Sequence, residues 1–259
     1  MLLAIDIGNS NIVFGLFEKD ILVKKYRLNS QLNKNHESYA IDIVELFVND
    51  GLDCLQISNV IIASVVPELT QIIKLSLAKF HQGKILVIGE DGCEIDIEIA
   101  LENKKEIGID RLVNAFYAHK IFGNDLIIID FGTATTFDVV GNNDQYLGGI
   151  IAPGVNLSIK ALHDMTAQLP NITVKYQKNV IGKSTKEAMN SGIYFGYISL
   201  VEGLISKIKK EYGKNMKTIA TGGLSGLFND AIKEIDFLEP NLTLQGLQVI
   251  FEKTQNNLK

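Results

Sequence analysis

The sequence predicts an α/β protein of two halves built on one plan. Each half is expected to be a mixed five-stranded sheet in the order β-β-β-α-β-α-β, with helices on both faces. Three observations predict this. The N-terminus carries three short apolar runs separated by turn-like residues, a second set of three begins near residue 126, and the first run of each set ends in Asp-x-Gly.

In the first set the runs are residues 2–7, 12–17 and 21–28, with Gly8-Asn9-Ser10-Asn11 and Glu18-Lys19-Asp20 between them. Short β-rich runs joined by such turns read as a three-strand meander. Residues 38–48 follow with Ala40, Ile43, Val44 and Phe47 at helical spacing. Residues 60–66 form a continuous β-branched run stopped by Pro67, which marks a buried strand. Leu69, Ile72, Ile73, Leu77 and Phe80 return to helical spacing, and 84–88 is another buried strand. The second set places strands at 126–130, 135–140 and 146–151, with turns at Phe131-Gly132-Thr133 and 141–144. A late strand at 218–221 runs into Gly222-Gly223-Leu224-Ser225-Gly226. Superposing Ala4 to Asn11 on Ile128 to Thr135 matches Asp6 with Asp130 and Gly8 with Gly132, so duplication is expected. No low-complexity linker separates the halves, so the boundary near residue 118 is soft; the expected domains are 1–118 and 119–259, with the option that the C-terminal helix packs back on the first.

Composition narrows the class of function. With 259 residues, 46% hydrophobic and 21% charged, the chain can bury a sizeable core. A net charge of -5 argues against a nucleic-acid partner, because neutralising a phosphate backbone needs a basic surface. Met1 to Ile7 include Asp6 with no basic stretch before them and do not read as a secretory signal. No apolar run approaches the roughly 20 residues of a membrane helix, so no membrane partner is expected. Cys54 and Cys93 stand far apart and read as free thiols in a reducing, cytoplasmic compartment, and four scattered histidines suggest no zinc site.

The two Asp-x-Gly turns have the chemistry of phosphate loops. A phosphate needs backbone N–H groups and short polar side chains close by, and glycine lets the backbone approach. Gly8 with Asn9, Ser10 and Asn11 supplies this once, and Gly132 with Thr133 and Thr135 again. Asp6 and Asp130 can hold a cation that screens the phosphate charge. A single Asp-x-Gly also suits an ordinary hairpin; the duplicated pair favours the phosphate reading. No G-x-x-x-x-G-K-[ST] is present, so a P-loop is excluded. Gly222, Gly223 and Gly226 lie between a strand and a helix, where backbone can approach adenine or ribose.

Glu106-Ile107-Gly108-Ile109-Asp110-Arg111 opens a further helical pattern. Phosphoryl transfer to an alcohol needs a carboxylate to take the hydroxyl proton and cations to stabilise the moving group. Asp110 suits the first role and Arg111 can grip a substrate carboxylate through paired hydrogen bonds. Spacing alone equally allows helix capping by Asp110 with Arg111 on the surface.

Taken together, Asp6-Ile7-Gly8-Asn9-Ser10-Asn11, Gly108-Ile109-Asp110-Arg111, Asp130-Phe131-Gly132-Thr133-Ala134-Thr135-Thr136, Pro153-Gly154 and Gly182-Lys183-Ser184-Thr185 resemble type III pantothenate kinase in order and spacing, and the likeness runs from Met1 to about Phe251. The family belongs to the actin/sugar-kinase/Hsp70 superfamily, which implies two ribonuclease H-like (actin-like) domains. The resemblance implies ATP-dependent phosphorylation of pantothenate at its primary hydroxyl, the first step of coenzyme A synthesis. It implies that Asp6, Ile7, Gly8, Asn9, Ser10, Asn11, Ile12 and Val13 form the first phosphate loop and that Thr133 also contacts ATP. Asp110 would be the proton acceptor; Gly108, Ile109, Asp110, Arg111 and Thr185 would contact pantothenate. Asp130 would bind a monovalent cation, K+ or NH4+, required alongside Mg2+, and the enzyme would be a homodimer. The segment 193–204 fits a dimer contact or core equally well.

One departure stands out. The family usually carries a substrate-touching tyrosine upstream of Gly108, followed after two residues by proline; here Leu101 and Lys104 stand at those positions. Two other readings stay open: a superfamily kinase or phosphatase acting on a sugar or polyphosphate, and a non-catalytic regulatory relative. Gly108 to Arg111 speak against the former, and Asp6, Asp110, Asp130 and Thr133 together against the latter.

Overall fold

A computed structural model of the chain describes residues 1–90 and 92–257. In chain order the elements begin with strands β1 (Leu2–Ile7), β2 (Asn11–Glu18) and β3 (Ile21–Asn29). Helix α1 (His36–Val48), β4 (Asn59–Ser64), α2 (Pro67–Leu77) and β5 (Ile85–Val87) follow. The short strand β6 (Glu98–Ile99) and α3 (Ile109–Phe122) lead into β7 (Leu126–Phe131), β8 (Ala134–Val140) and β9 (Gln145–Pro153). The chain then forms α4 (Val155–Asp164), α5 (Thr185–Tyr212), β10 (Lys217–Thr221), α6 (Ser225–Phe228), β11 (Phe237–Leu238) and α7 (Leu242–Asn257). No helix among the described residues is long and apolar enough to cross a membrane. Two compact units result: Met1–Ile97 with Asn103–Tyr117 and Leu242–Lys259, and Glu98–Glu102 with Ala118–Asn241.

The first unit is built on the sheet β3-β2-β1-β4-β5. β1 pairs antiparallel with β2 and parallel with β4. Its apolar run Leu2-Leu3-Ala4-Ile5 suits this central place, where both faces are covered. β3 lies at the edge and keeps Lys24, Lys25 and Arg27 exposed, charges that discourage pairing with another chain. Alternation sorts the side chains onto two cores. Leu3, Ile5, Ile7 and Phe14 pack with Tyr39, Ile43 and Phe47 of α1 and with Leu69, Ile73 and Leu77 of α2. Ala4, Phe17 and Ile61 pack on the other face with Val113 and Phe116 of α3 and with Leu244, Leu247 and Ile250 of α7. Burying each large apolar side chain contributes roughly 1.5–3 kcal/mol, so the α3 and α7 layer is a substantial part of this unit's stability. Asn35 caps α1 by accepting from the Ser38 N–H, and Pro67 opens α2, where its missing N–H costs nothing.

The second unit repeats the plan with additions. Its sheet runs β11-β10-β7-β8-β9-β6. β7 pairs antiparallel with β8 and parallel with β10, as β1 does with β2 and β4. The expected five strands become six because β6, only two residues long, joins the free edge of β9. Two helices, α4 and α5, occupy the connection that a single helix fills in the first unit. Ile127, Ile129, Phe131 and Phe137 face Ile159 of α4, Tyr194 and Val201 of α5 and Phe228 of α6. Ile193, Tyr194, Tyr197 and Val201 are therefore core residues, while Gly196 and Ser199 of the same segment stay exposed.

Candidate active site

The β1–β2 turn is tied from behind. The Gly8 N–H donates to the Asn11 carbonyl (2.9 Å), the Ser30 N–H to the Ser10 carbonyl (3.0 Å) and the Ser30 hydroxyl to the Gly8 carbonyl (2.6 Å). The carbonyl oxygens, which would repel an anion, are thus occupied, while Asn9 and Ser10 stay exposed. Ser30 was invisible to motif reading, because it reaches the turn through the β2–β3 pairing. Asp6 lies half-buried at the end of β1. Its neighbours Ile5 and Ile7 point into the α1–α2 core, so Asp6 belongs to the opposite face, the one covered by α3 and α7.

Asp110 begins from that same side. Ile107 is buried and anchors the approach, and the Gly108 carbonyl accepts from the Arg111 N–H (3.1 Å) and the Leu112 N–H (3.3 Å) to start α3. The Asp110 carboxylate accepts from the Arg111 N–H (2.8 Å). Burial pushes its pKa above the ordinary aspartate value, against the Arg111 N–H and guanidinium, which favour the charged form. Gly108 is required by this geometry: a Cβ there would sit 2.5 Å from the Asp110 carboxylate and 3.5 Å from Val65, which follows β4. The first unit therefore places Asp6 and the Gly108–Arg111 segment on one side of one sheet. A raised pKa is what a general base near neutrality needs.

In the second unit, Asp130 ends β7 opposite Thr136 of β8 and beside Thr221 of β10. Gly132 and Gly222 flank its carboxylate. A Cβ at Gly222 would stand 2.3 Å from Asp130 Oδ1 and 2.6 Å from the Phe131 nitrogen, and Gly222 has φ +91°, a conformation that disfavours any other residue. Gly222, expected from the sequence to lie near adenosine, is packed against Asp130. A Cβ at Gly154, which precedes α4, would lie 2.1 Å from the Thr133 carbonyl, so Pro153-Gly154 brings the α4 start onto the Gly132-Thr133 turn. Beside these, fully buried Asp138 accepts from the Tyr146 hydroxyl (2.7 Å) and the Thr136 hydroxyl (3.3 Å).

Thr185 is the first residue of α5 and is exposed. Ser184 caps the helix by accepting from the Glu187 N–H (3.3 Å), and the Glu187 carboxylate accepts from the Lys183 N–H (2.7 Å). Gly182 lies against the Ala188 backbone, where a Cβ would be 2.3 Å from the Ala188 nitrogen. Leu101, where the family has tyrosine, packs toward Gly148 of β9 and offers no hydroxyl.

The two halves thus share a mixed α/β plan with an Asp-x-Gly hairpin in each, and the first adds a half-buried carboxylate beside an arginine at a helix start. A model of the type III pantothenate kinase family matches residues 2–207. The chain belongs to that family. It is 43% identical over 259 residues to the type III pantothenate kinase of Paramagnetospirillum magneticum, covering 100% of both chains. Among solved structures it resembles a Campylobacter jejuni protein assigned to the Baf family of transcriptional activators, with a TM-score of 0.62 at 21% identity, covering 98% of this chain and 99% of that one. A Listeria monocytogenes protein assigned as an N-acetylmannosamine kinase gives 0.51 at 11% identity, with 98% and 99% covered. These two likenesses concern the fold alone.

Proposed function

We infer that the chain transfers the γ-phosphoryl group of ATP to the primary hydroxyl of pantothenate, the first step of coenzyme A biosynthesis. The observation that carries the residue assignment is Asp110: a half-buried carboxylate with a raised pKa, oriented by the Arg111 N–H. Asp110 takes the hydroxyl proton as the hydroxyl attacks the γ-phosphorus and the bond to the β-phosphate oxygen of ADP breaks. Arg111 grips the pantothenate carboxylate, with Gly108, Ile109 and Thr185 as further contacts. Residues 6–13 hold the ATP phosphates, and Thr133 touches ATP.

Mg2+ would arrive with the nucleotide and neutralise charge on its phosphate oxygens, an ion that keeps several waters and needs few protein ligands. Asp130 fits a monovalent cation, K+ or NH4+: its carboxylate is flanked by Gly222 and Gly132, where a Cβ would crowd it. The free, buried thiols of Cys54 and Cys93 suit a reducing cytoplasm. Exposed Met165, Val180 and Ile181 support a homodimer.

The cation assignment has its own test. Replacing K+ by Na+ at constant ionic strength is expected to lower turnover strongly and to lower the melting temperature, and Asp130→Asn is expected to abolish both differences. Equal turnover and melting in the two salts would remove the cation from Asp130.

A further inference from the structure

The phosphate loop has no cation of its own. From Asp6 through Phe17 the chain holds no lysine or arginine, and the first, Lys19, lies at the far end of the β2–β3 turn. Nucleotide polyphosphate needs positive side chains as well as backbone N–H groups, and phosphoryl transfer needs them most as charge moves in the transition state. Strand pairing shows where one comes from. Arg27 of β3 is in register with Val13 of β2, Val13 with Asp6 of β1, and Asp6 with Ala63 of β4, so these residues form one row across four strands.

Alternation fixes the face. Tyr26 and Leu28 pack into the α1–α2 core, so Lys25 and Arg27 project to the other side, as Asp6 does. Neighbouring strands lie about 4.8 Å apart, which puts Arg27 about 10 Å from Asp6 across Val13, a gap that an extended arginine side chain largely spans. Arg27 is exposed, and among the described residues it forms no ion pair. The Lys25 pKa is lowered, first by burial and then by Arg27, with Asp6 acting in the opposite direction, so Lys25 feels both neighbours. Two like charges side by side above the phosphate loop are an arrangement that an anion stabilises.

We propose that Arg27 binds the polyphosphate of the nucleotide held on the residue 6–13 loop. This rests on the assignment of that loop to ATP, and it gives β3 a role in the site that no motif residue marks. The planar guanidinium can hold two phosphate oxygens at once, a geometry that lysine lacks.

The test is direct nucleotide binding to the full-length protein by calorimetry, with ATP and AMP as ligands and no acceptor present. Arg27→Ala is expected to weaken ATP binding about ten- to hundredfold, the loss typical of a charged hydrogen-bonding partner, and to leave AMP nearly unchanged. Arg27→Lys should restore part of the ATP affinity. Lys24→Gln removes the same charge from the same strand at a residue that pairs with Asp50 (3.2 Å), and should match the wild type. Unchanged ATP affinity in Arg27→Ala, equal losses for ATP and AMP, or an equal loss in Lys24→Gln would overturn the proposal. Pantothenate turnover by the wild type is scored separately, so a wrong acceptor and a wrong role for Arg27 give different results.

Discussion

Asp110→Asn is expected to lower kcat by about 10²–10⁴-fold, the range for removing a positioned base, with little change in the KM for ATP. The same substitution is expected to raise the melting temperature at neutral pH. The sign follows from the raised pKa of Asp110, whose first cause is burial. A carboxyl whose pKa is higher folded than unfolded favours folding most when protonated; that contribution is lost as pH rises through the folded value. At neutral pH the ionised Asp110 is therefore a cost, and the neutral amide relieves it. Below the ordinary aspartate pKa of 3.8 both forms are uncharged and the difference in melting should vanish. The wild-type rate should fall on the acid side with an apparent pKa above 3.8, and the Asn variant should lack that limb. Calorimetric melting at several pH values, alongside initial rates, checks both parts. A purely structural cap would show neither effect, because Asn caps a helix as well as Asp and would leave rate and stability near the wild type.

Gly222→Ala is expected to damage the second unit severely. It would force a non-glycine residue to φ +91° and place a Cβ 2.3 Å from the Asp130 carboxylate and 2.6 Å from the Phe131 nitrogen. Left-handed strain costs of order 1–3 kcal/mol, and overpacking a similar amount. A combined loss of about 3 kcal/mol corresponds to a melting decrease of roughly 6–12 °C for a chain of this size. Because Asp130 must move, dependence on K+ should weaken in parallel. Gly226→Ala is the contrast, since its added Cβ would meet open space. Thermal unfolding of the two variants in K+ and Na+ separates the local clash from a general intolerance of alanine after β10.

What could be read in advance follows the range of the interactions. The hairpins at Asp6 and Asp130 were legible because apolar alternation and a glycine turn are both local signals. Sequence spacing left Asp110 open between base and cap; its burial supports the base proposed for it, and the Asn variant is the test. β6 was missed because two residues carry no period, and its pairing is made with a distant strand. Gly222 was visible as a glycine after a strand, but its place against Asp130 depends on the parallel β7–β10 register. α7 has a helical pattern of its own, while its packing against β1 comes from residues far away in the chain. Arg27 and Ser30 were passed over for the same reason: each is brought beside the β1–β2 hairpin only by the β2–β3 pairing.

The most direct measurement incubates the purified protein with ATP, Mg2+ and K+, with pantothenate or a panel of sugars as acceptor, and identifies products by mass. Phosphopantothenate and ADP in equal amounts, lost in Asp110→Asn, are the expected result. A phosphorylated sugar with pantothenate untouched, or ADP released without any phosphorylated acceptor, would contradict the account.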